Sequence, residues 1–175
     1  MIELSNETLK MARVAGLDAA EATDRMTAAL RGFNMELDQA SAQKVADVYT
    51  ELAAITASDV DEISKAMTKT ASIASSAGMS FETTAAFLSQ IIETTRESAE
   101  TAGTAMKTVI ARFQELKKAP DEIGEIDGEI VDANQIETAL RSVGVSLRDA
   151  GGQFRELDEV FLELSSKWNT LDKNT

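Results

Sequence analysis

The sequence predicts a mainly α-helical protein, a multi-helix bundle with short glycine-capped connections and one small β-hairpin near residues 145–155. Its 175 residues include 1 proline and 9 glycines. Most of the glycines separate stretches whose apolar residues recur at three- and four-residue spacing, which is the period of an amphipathic helix. Alanine is abundant and aromatic residues make up only 5%. Such helices approach closely but bury little apolar area per contact, so we expect modest stability.

The first two helices are separated by a glycine and a cap. A short helix is predicted over residues 6–15 and ends at Gly16. Asp18 then caps the second helix, and Glu21, three residues later, completes a capping-box pattern. Gly32 is predicted to end this second helix. The connection is short, so the two helices should pack against each other.

Three further helix ends carry similar signals. A longer helix is predicted from Asp38 to Ile55, and Asp59 with Glu62 forms another capping box for the next helix. Gly78 supplies a left-handed residue that closes that helix, and Ser80 can accept the first free N–H of the following one. The sequence therefore predicts a tight connection between these two helices.

The last helix of the N-terminal region follows a break at Arg96–Ser98 and runs to Pro120. Gly103 lies near its start, where an interior glycine costs about 1 kcal/mol relative to alanine. Two interpretations of Gly103 remain open. It either allows close approach of another helix or belongs to a simple break near Ser98.

An acidic segment follows the proline. Residues 119–133 contain two glycines and no helical period, which predicts a loop or linker. The oxygen-bearing side chains that raise a calcium-site interpretation are Asp121, Glu125, Asp127, Glu129 and Asp132. Ile123 occupies a ligand slot of the EF-hand pattern, so a solvated linker is the favoured interpretation.

The C-terminal part is predicted to be compact. A short helix over residues 134–143 ends at Gly144, and "VSLRDAGGQFREL" is the predicted hairpin. A last amphipathic helix carries Leu157 through Trp168 and Leu171. The predicted organisation is a helical unit over 1–118, a linker over 119–133 and a helix–hairpin–helix subdomain over 134–171.

Composition excludes several classes of function. The chain has no cysteine, no histidine and a net charge of −13. Thiolate chemistry is impossible, the usual general base is missing, and nucleic-acid binding is not expected because it requires clustered basic residues. No apolar run approaches the ~20 residues of a membrane span, and the negative charge disfavours anionic membrane surfaces, so membrane binding is not expected either. We expect no cofactor, no metal and no enzymatic activity, with an acidic Asp/Glu enzyme as one open alternative.

Three stretches of the sequence are distinctive, namely "KTASIASSAGMSFETTAAFL", "TRESAETAGTAMKTVIARF" and "GVSLRDAGGQFREL". They and the blocks around them resemble phage tail tape-measure proteins. This resemblance implies that the chain is a fragment of a much longer phage or prophage structural protein that sets tail length and scaffolds tail-tube assembly. It also implies a location in the lumen of the virion tail, reached from the host bacterial cytoplasm during assembly.

The same resemblance implies its partners. These would be other copies of itself and the tail-tube, tail-tip and tail-assembly chaperone proteins. Large apolar groups near helix ends are candidate contacts, namely Phe113, Leu116, Phe161 and Trp168. A generic helical adaptor or chaperone-like module is the alternative function that the composition leaves open.

Overall fold

The computed structural model describes the backbone of residues 2–118, 123–126 and 129–168, and the side chains of residues 6–114 and 137–167. These residues form helices and two short strands. The helices are α1 (Ile2–Ala15), α2 (Ala19–Gly32), α3 (Gln39–Ile55), α4 (Val60–Ser76), α5 (Phe81–Thr95), α6 (Ala99–Lys118), α7 (Ala133–Ser142) and α8 (Leu157–Trp168). The strands are β1 (Ile123–Ile126) and β2 (Glu129–Asp132). The prediction of a mainly helical chain is confirmed.

The chain divides into two compact units, Met1–Ile110 and Ala111–Thr175. The first unit contains α1 to α5 and the first part of α6, and the five predicted helix connections before residue 118 are all present. The sequence placed its boundary after residue 118, whereas α6 contributes its last turns to the second unit.

Side-chain caps start the helices of the first unit. The Asp18 carboxylate accepts the Glu21 N–H at 2.8 Å, and Ser80 Oγ accepts the Thr83 N–H at 3.1 Å. At Asp59 the box is reciprocal, because the Glu62 carboxylate also accepts the Asp59 N–H at 3.1 Å. Each cap satisfies an amide at the end of a helix that has no partner within the helix, so these polar residues fix where the chain turns.

Gly78 ends α4 in the left-handed conformation, with φ of 81°. The next residue, Met79, donates its N–H to the Ala74 carbonyl at 2.9 Å, which is the hydrogen bond of a Schellman motif. Gly16 and Gly144 also have positive φ at the ends of their helices. The chain therefore reverses between α4 and α5 with almost no loop.

Gly32 differs from the other helix-ending glycines. It is the last residue of α2, as predicted, but its φ is not positive. The left-handed residue is Asn34, with φ of 53°, and the cap residue is Phe33. The prediction that α2 ends at Gly32 is confirmed, although the left-handed residue follows two positions later. The lack of a side chain at Gly32 matters for packing.

Helix α4 carries much of the buried surface of the first unit. Its buried positions recur with helical spacing and are Val60, Ile63, Ser64, Ala66, Met67, Thr70, Ala71 and Ala74. Tyr49 of α3 and Met26 and Leu30 of α2 are among the largest fully buried side chains. Small residues dominate the α4 list, so neighbouring helices can lie close to its backbone.

The two strands lie where the sequence predicted an acidic loop or linker without strands. β1 and β2 pair antiparallel, with Ile123 opposite Asp132 and Ile126 opposite Glu129. That expectation is therefore corrected over residues 123–126 and 129–132. The dipeptide Asp127–Gly128 separates the strands in sequence, and it is a strong signal for a hairpin turn.

The structure does not support the β-hairpin predicted near residues 145–155. Its described residues form one isolated antiparallel bridge, between Arg148 and Phe154. The Asp149 carboxylate accepts the N–H groups of Gly151 and Gln153, at 2.8 and 2.9 Å. Since this turn draws both arms into a tight loop and α8 starts at Leu157, no ladder develops beyond the bridge.

Candidate functional site

Gly103 brings α6 against the backbone of α4. A Cβ atom built on Gly103 would lie 2.6 Å from the carbonyl oxygen of Ala66 and 3.1 Å from its Cα. Real Cβ atoms do not approach a carbonyl oxygen so closely, so alanine at this position would force the helices apart. The prediction that Gly103 allows close helix approach is confirmed. Ser98 also caps α6, accepting the Thr101 N–H at 3.2 Å, so the break near Ser98 is present as well.

Gly32 makes a second close contact with α4. A Cβ atom on Gly32 would lie 2.3 Å from the Ala71 methyl carbon and 3.2 Å from the backbone of the same turn. Ala66 and Ala71 are five residues apart, so α2 and α6 both approach α4 within about one and a half turns. At both glycines this short part of α4 leaves no room for a side chain.

Arg25 ties α2 to the start of α4. Its guanidinium donates to the Asp61 carboxylate, to the Asp61 carbonyl at 2.7 Å and to Ser64 Oγ at 3.2 Å. The Arg25 side chain is only 11% exposed, whereas the Asp61 side chain is 38% exposed. Three acceptors around one mostly buried cation make this contact specific in position and angle.

Three aromatic side chains, Phe33, Tyr49 and Phe81, pack together in the first unit. The rings of Tyr49 and Phe33 both meet the ring of Phe81 edge-on, with centroid distances of 5.4 and 5.7 Å. The Tyr49 hydroxyl is fully buried and makes no hydrogen bond with a described residue. Burial raises the pKa of Tyr49, because the phenolate would be desolvated.

The second unit has a smaller core. Val145, Leu147 and Val160 are buried together, and five half-buried apolar residues surround them, namely Phe113, Leu140, Val143, Phe154 and Leu164. Phe113 packs edge-on against Phe161, with a centroid distance of 5.4 Å.

Ion pairs join α8 to the preceding loop. Arg155 contacts the Glu163 carboxylate at 2.5 Å, and Lys167 contacts the same carboxylate at 2.9 Å. Lys167 also donates to the Gly144 carbonyl. The hydrogen bond from Arg155, together with that from Lys167, lowers the pKa of Glu163. All three side chains are partly exposed, so solvent weakens the network.

The predicted contact residues fall into two groups. Phe113 is half-buried and Phe161 is only 8% exposed, and the two rings contact each other. The side chains of Leu116 and Trp168 lie outside the described residues. An interaction role for these four residues stays a prediction. The buried position of Phe161 does not support such a role for that residue.

A groove on the first unit was not predicted. It has a volume of about 430 Å³ and is lined by residues of α1 and by Gln39 of α3. Leu9 and Val14 line it and are 54% and 58% exposed. Lys10 and Arg13 also line it. Helical periodicity alone could not identify this surface, because α1 has apolar residues on more than one face.

No metal or membrane site emerges from the described part of the chain. Within it, no group of three or more acidic side chains is placed to hold a metal ion. The five candidate calcium ligands between residues 121 and 132 have side chains outside the described residues. Among the described helices, none combines the length and hydropathy needed to cross a bilayer.

Comparison with known proteins gives the family. The sequence model of the phage-related minor tail proteins matches residues 1–175, the whole chain. The chain belongs to this family. It is similar to the tape measure protein of Pneumococcus phage Dp-1, with 29% identity over 158 residues, which cover 90% of this chain. No solved structure matches it.

The match to the phage Dp-1 protein covers 12% of that protein's length. This phage tail chain therefore corresponds to a small part of that relative. The resemblance to tape-measure proteins seen in the sequence is confirmed.

Proposed function

We propose that the chain is part of a tape measure protein, which sets the length of a phage tail and scaffolds assembly of the tail tube. The observation that carries this proposal is the family match over all 175 residues. The alignment of 90% of the chain with a named tape measure protein supports it. The proposed role is structural rather than enzymatic.

The proposed location is the lumen of the virion tail, reached from the host cytoplasm during assembly. A protein that shares a lumen with DNA benefits from negative charge, and this chain carries a net charge of −13. Other copies of the chain and the tail-tube, tail-tip and tail-assembly chaperone proteins are the proposed partners. Direct binding to DNA or to a membrane is not part of the proposal.

The folded structure limits the length that this segment could contribute to a tape measure protein. A single continuous helix of 175 residues would span about 260 Å, at about 1.5 Å per residue. Each helix described here is at most 20 residues long, which is about 30 Å. No described helix is therefore long enough for the segment to act as one extended helical rod.

In-frame deletion of this segment from the parent gene tests the proposal, with tail length measured by electron microscopy. We expect shortened tails or failure of tube assembly. An in-frame duplication serves as the matched control, and it should lengthen the tails. Normal tails of unchanged length in both strains would overturn the proposed role in tail assembly and length.

A further inference from the structure

The groove beside α1 exposes apolar and basic side chains that the proposed function does not explain. Leu9 and Val14 are more than half exposed in it. Lys10 is paired with the buried Glu7 at 2.8 Å, yet its own side chain remains 69% exposed. Arg13 is exposed and forms no ion pair with a described residue. This basic groove therefore combines exposed apolar area with an available cation, on a chain of net charge −13.

A surface of matching chemistry lies on α3. Asp47, Glu51, Ala54 and Ile55 are all exposed. Asp47, Glu51 and Ile55 follow each other at four-residue spacing, and Ala54 lies three residues after Glu51. Ile55 is 73% exposed, the highest value among the large apolar residues of the described side chains. Neither Asp47 nor Glu51 forms an ion pair with a described residue. We call these four residues the acidic stripe.

The basic groove and the acidic stripe do not form ion pairs with each other within one chain, as far as the described residues show. Glu51 is twelve residues from Gln39, the α3 residue of the basic groove, which is about 18 Å along the helix axis. No ion pair joins the described cations of the groove to the acids of the stripe. Each chain thus offers an apolar and basic surface together with an apolar and acidic one.

We propose that the basic groove beside α1 binds the acidic stripe of α3 from a second copy of this chain. Arg13 and Lys10 face Asp47 and Glu51, while Leu9 and Val14 cover Ile55. A second copy is the occupant because the same chain carries both complementary halves, with opposite charge and unpaired apolar groups. This proposal rests on the proposed function only in that a tail would hold more than one copy.

The contact is small, so the association is weak. A few apolar side chains and two cations cover much less than the roughly 1,200 Å² of total buried surface found in stable complexes. Opposite charges contribute to encounter and register more than to affinity, and salt screens them. Association should therefore increase with protein concentration and decrease with salt.

Sedimentation of the 175-residue chain, from about 10 μM to about 1 mM, tests the proposal. We expect reversible association at about 20 mM salt that weakens at about 500 mM. Arg13→Glu and Glu51→Lys should each lower the association constant by roughly tenfold or more. An equimolar mixture of the two variants should recover association, because the unchanged groove of the Glu51→Lys variant can bind the unchanged stripe of the Arg13→Glu variant. The introduced glutamate and the introduced lysine can also pair with each other.

Two control variants carry the same charge changes at exposed sites outside both surfaces. Lys107→Glu matches Arg13→Glu, and Glu97→Lys matches Glu51→Lys. They should associate like the parent chain, and circular dichroism checks that every variant folds. Equal effects of test and control variants, no recovery in the mixture, or a strict monomer at about 1 mM would each overturn the proposal. Tail length in the deletion strain is a separate measurement, so the two proposals can fail independently.

Discussion

Close contacts between helices at glycine distinguish the first unit of the chain from the second. In the first unit, α2 and α6 lie against the α4 backbone at Gly32 and Gly103, where a single methyl group would clash. In the second unit, a small core of Val145, Leu147 and Val160 is accompanied by partly exposed ion pairs. Close packing tolerates little change of volume, whereas exposed ion pairs tolerate substitution well. We therefore expect the first unit to be more sensitive to small substitutions.

The largest expected effect is at the contact between Gly32 and Ala71. Gly32→Ala should lower the free energy of unfolding by about 2–3 kcal/mol, because the new methyl overlaps the Ala71 methyl. Ala71→Gly alone should cost about 1 kcal/mol from helix propensity. The double variant should lose much less than the sum, since the overlap disappears. Additive losses in urea unfolding would show that the clash does not determine the effect.

The next effect concerns the link between α2 and α4. Arg25→Ala should cost about 2 kcal/mol, because it leaves the Asp61 carboxylate and carbonyl and Ser64 Oγ without this donor. Arg31→Ala is the control, since Arg31 is exposed on the same helix and forms no ion pair with a described residue. Equal unfolding midpoints for the two variants would contradict the proposed importance of the Arg25 contacts.

Tyr49 should give a smaller effect of opposite sign. Tyr49→Phe removes a buried hydroxyl that has no described hydrogen-bond partner, so we expect a gain of about 1 kcal/mol. Because burial raises the pKa of Tyr49, the folded state keeps its proton when the unfolded state releases it. The free energy of unfolding is therefore unaffected by Tyr49 ionisation below the unfolded pKa of about 10, and it declines as the pH rises beyond that value.

The chain contains 1 tyrosine, so ultraviolet titration reports Tyr49 alone. We expect no phenolate signal until the chain unfolds. The Tyr49→Phe variant should lose less stability than the parent chain at alkaline pH. Normal titration of Tyr49 in the folded chain would contradict its buried position.

The smallest effect is expected in the second unit. Glu163→Gln should change the unfolding midpoint by no more than about 2 °C, because the ion pairs with Arg155 and Lys167 are partly exposed. Since the pKa of Glu163 is lowered, its contribution is present above the ordinary glutamate pKa and is lost as pH falls through the folded value. The variant should therefore show less acid destabilisation than the parent in thermal melts between about pH 5 and pH 3.

Capping chemistry made the first unit largely predictable from the sequence. Asp59 with Glu62 and Gly78 with Ser80 are local signals, and each acts within one helical turn of the position it fixes. The close-approach interpretation of Gly103 was also correct, because an interior glycine needs a compensating contact. The end of α2 at Gly32 was predicted, but its contact with Ala71 was not, because the two residues are distant in sequence and only tertiary packing brings them together.

The strands were predicted at the wrong place in the sequence. The acids between residues 121 and 132 suggested metal ligands or a solvated linker. The hairpin was indicated instead by the Asp127–Gly128 dipeptide, which lies between two stretches that contain isoleucine. In the predicted hairpin near 145–155, the side chain of Asp149 replaced ladder hydrogen bonds with a local turn. The basic groove could not be predicted, because the exposure of Leu9 and Val14 depends on which face of α1 its neighbours cover.

Gly103→Ala offers the most direct test of the claim that close contact with α4 stabilises the first unit. Helix propensity alone predicts a gain of about 1 kcal/mol when an interior glycine becomes alanine. The contact with the Ala66 carbonyl predicts a loss of about 2 kcal/mol, because the helices must separate. Thr104→Ala, at the exposed neighbouring position, is the control for propensity. Chemical denaturation should show Gly103→Ala less stable than the parent chain, and a more stable variant would contradict this account.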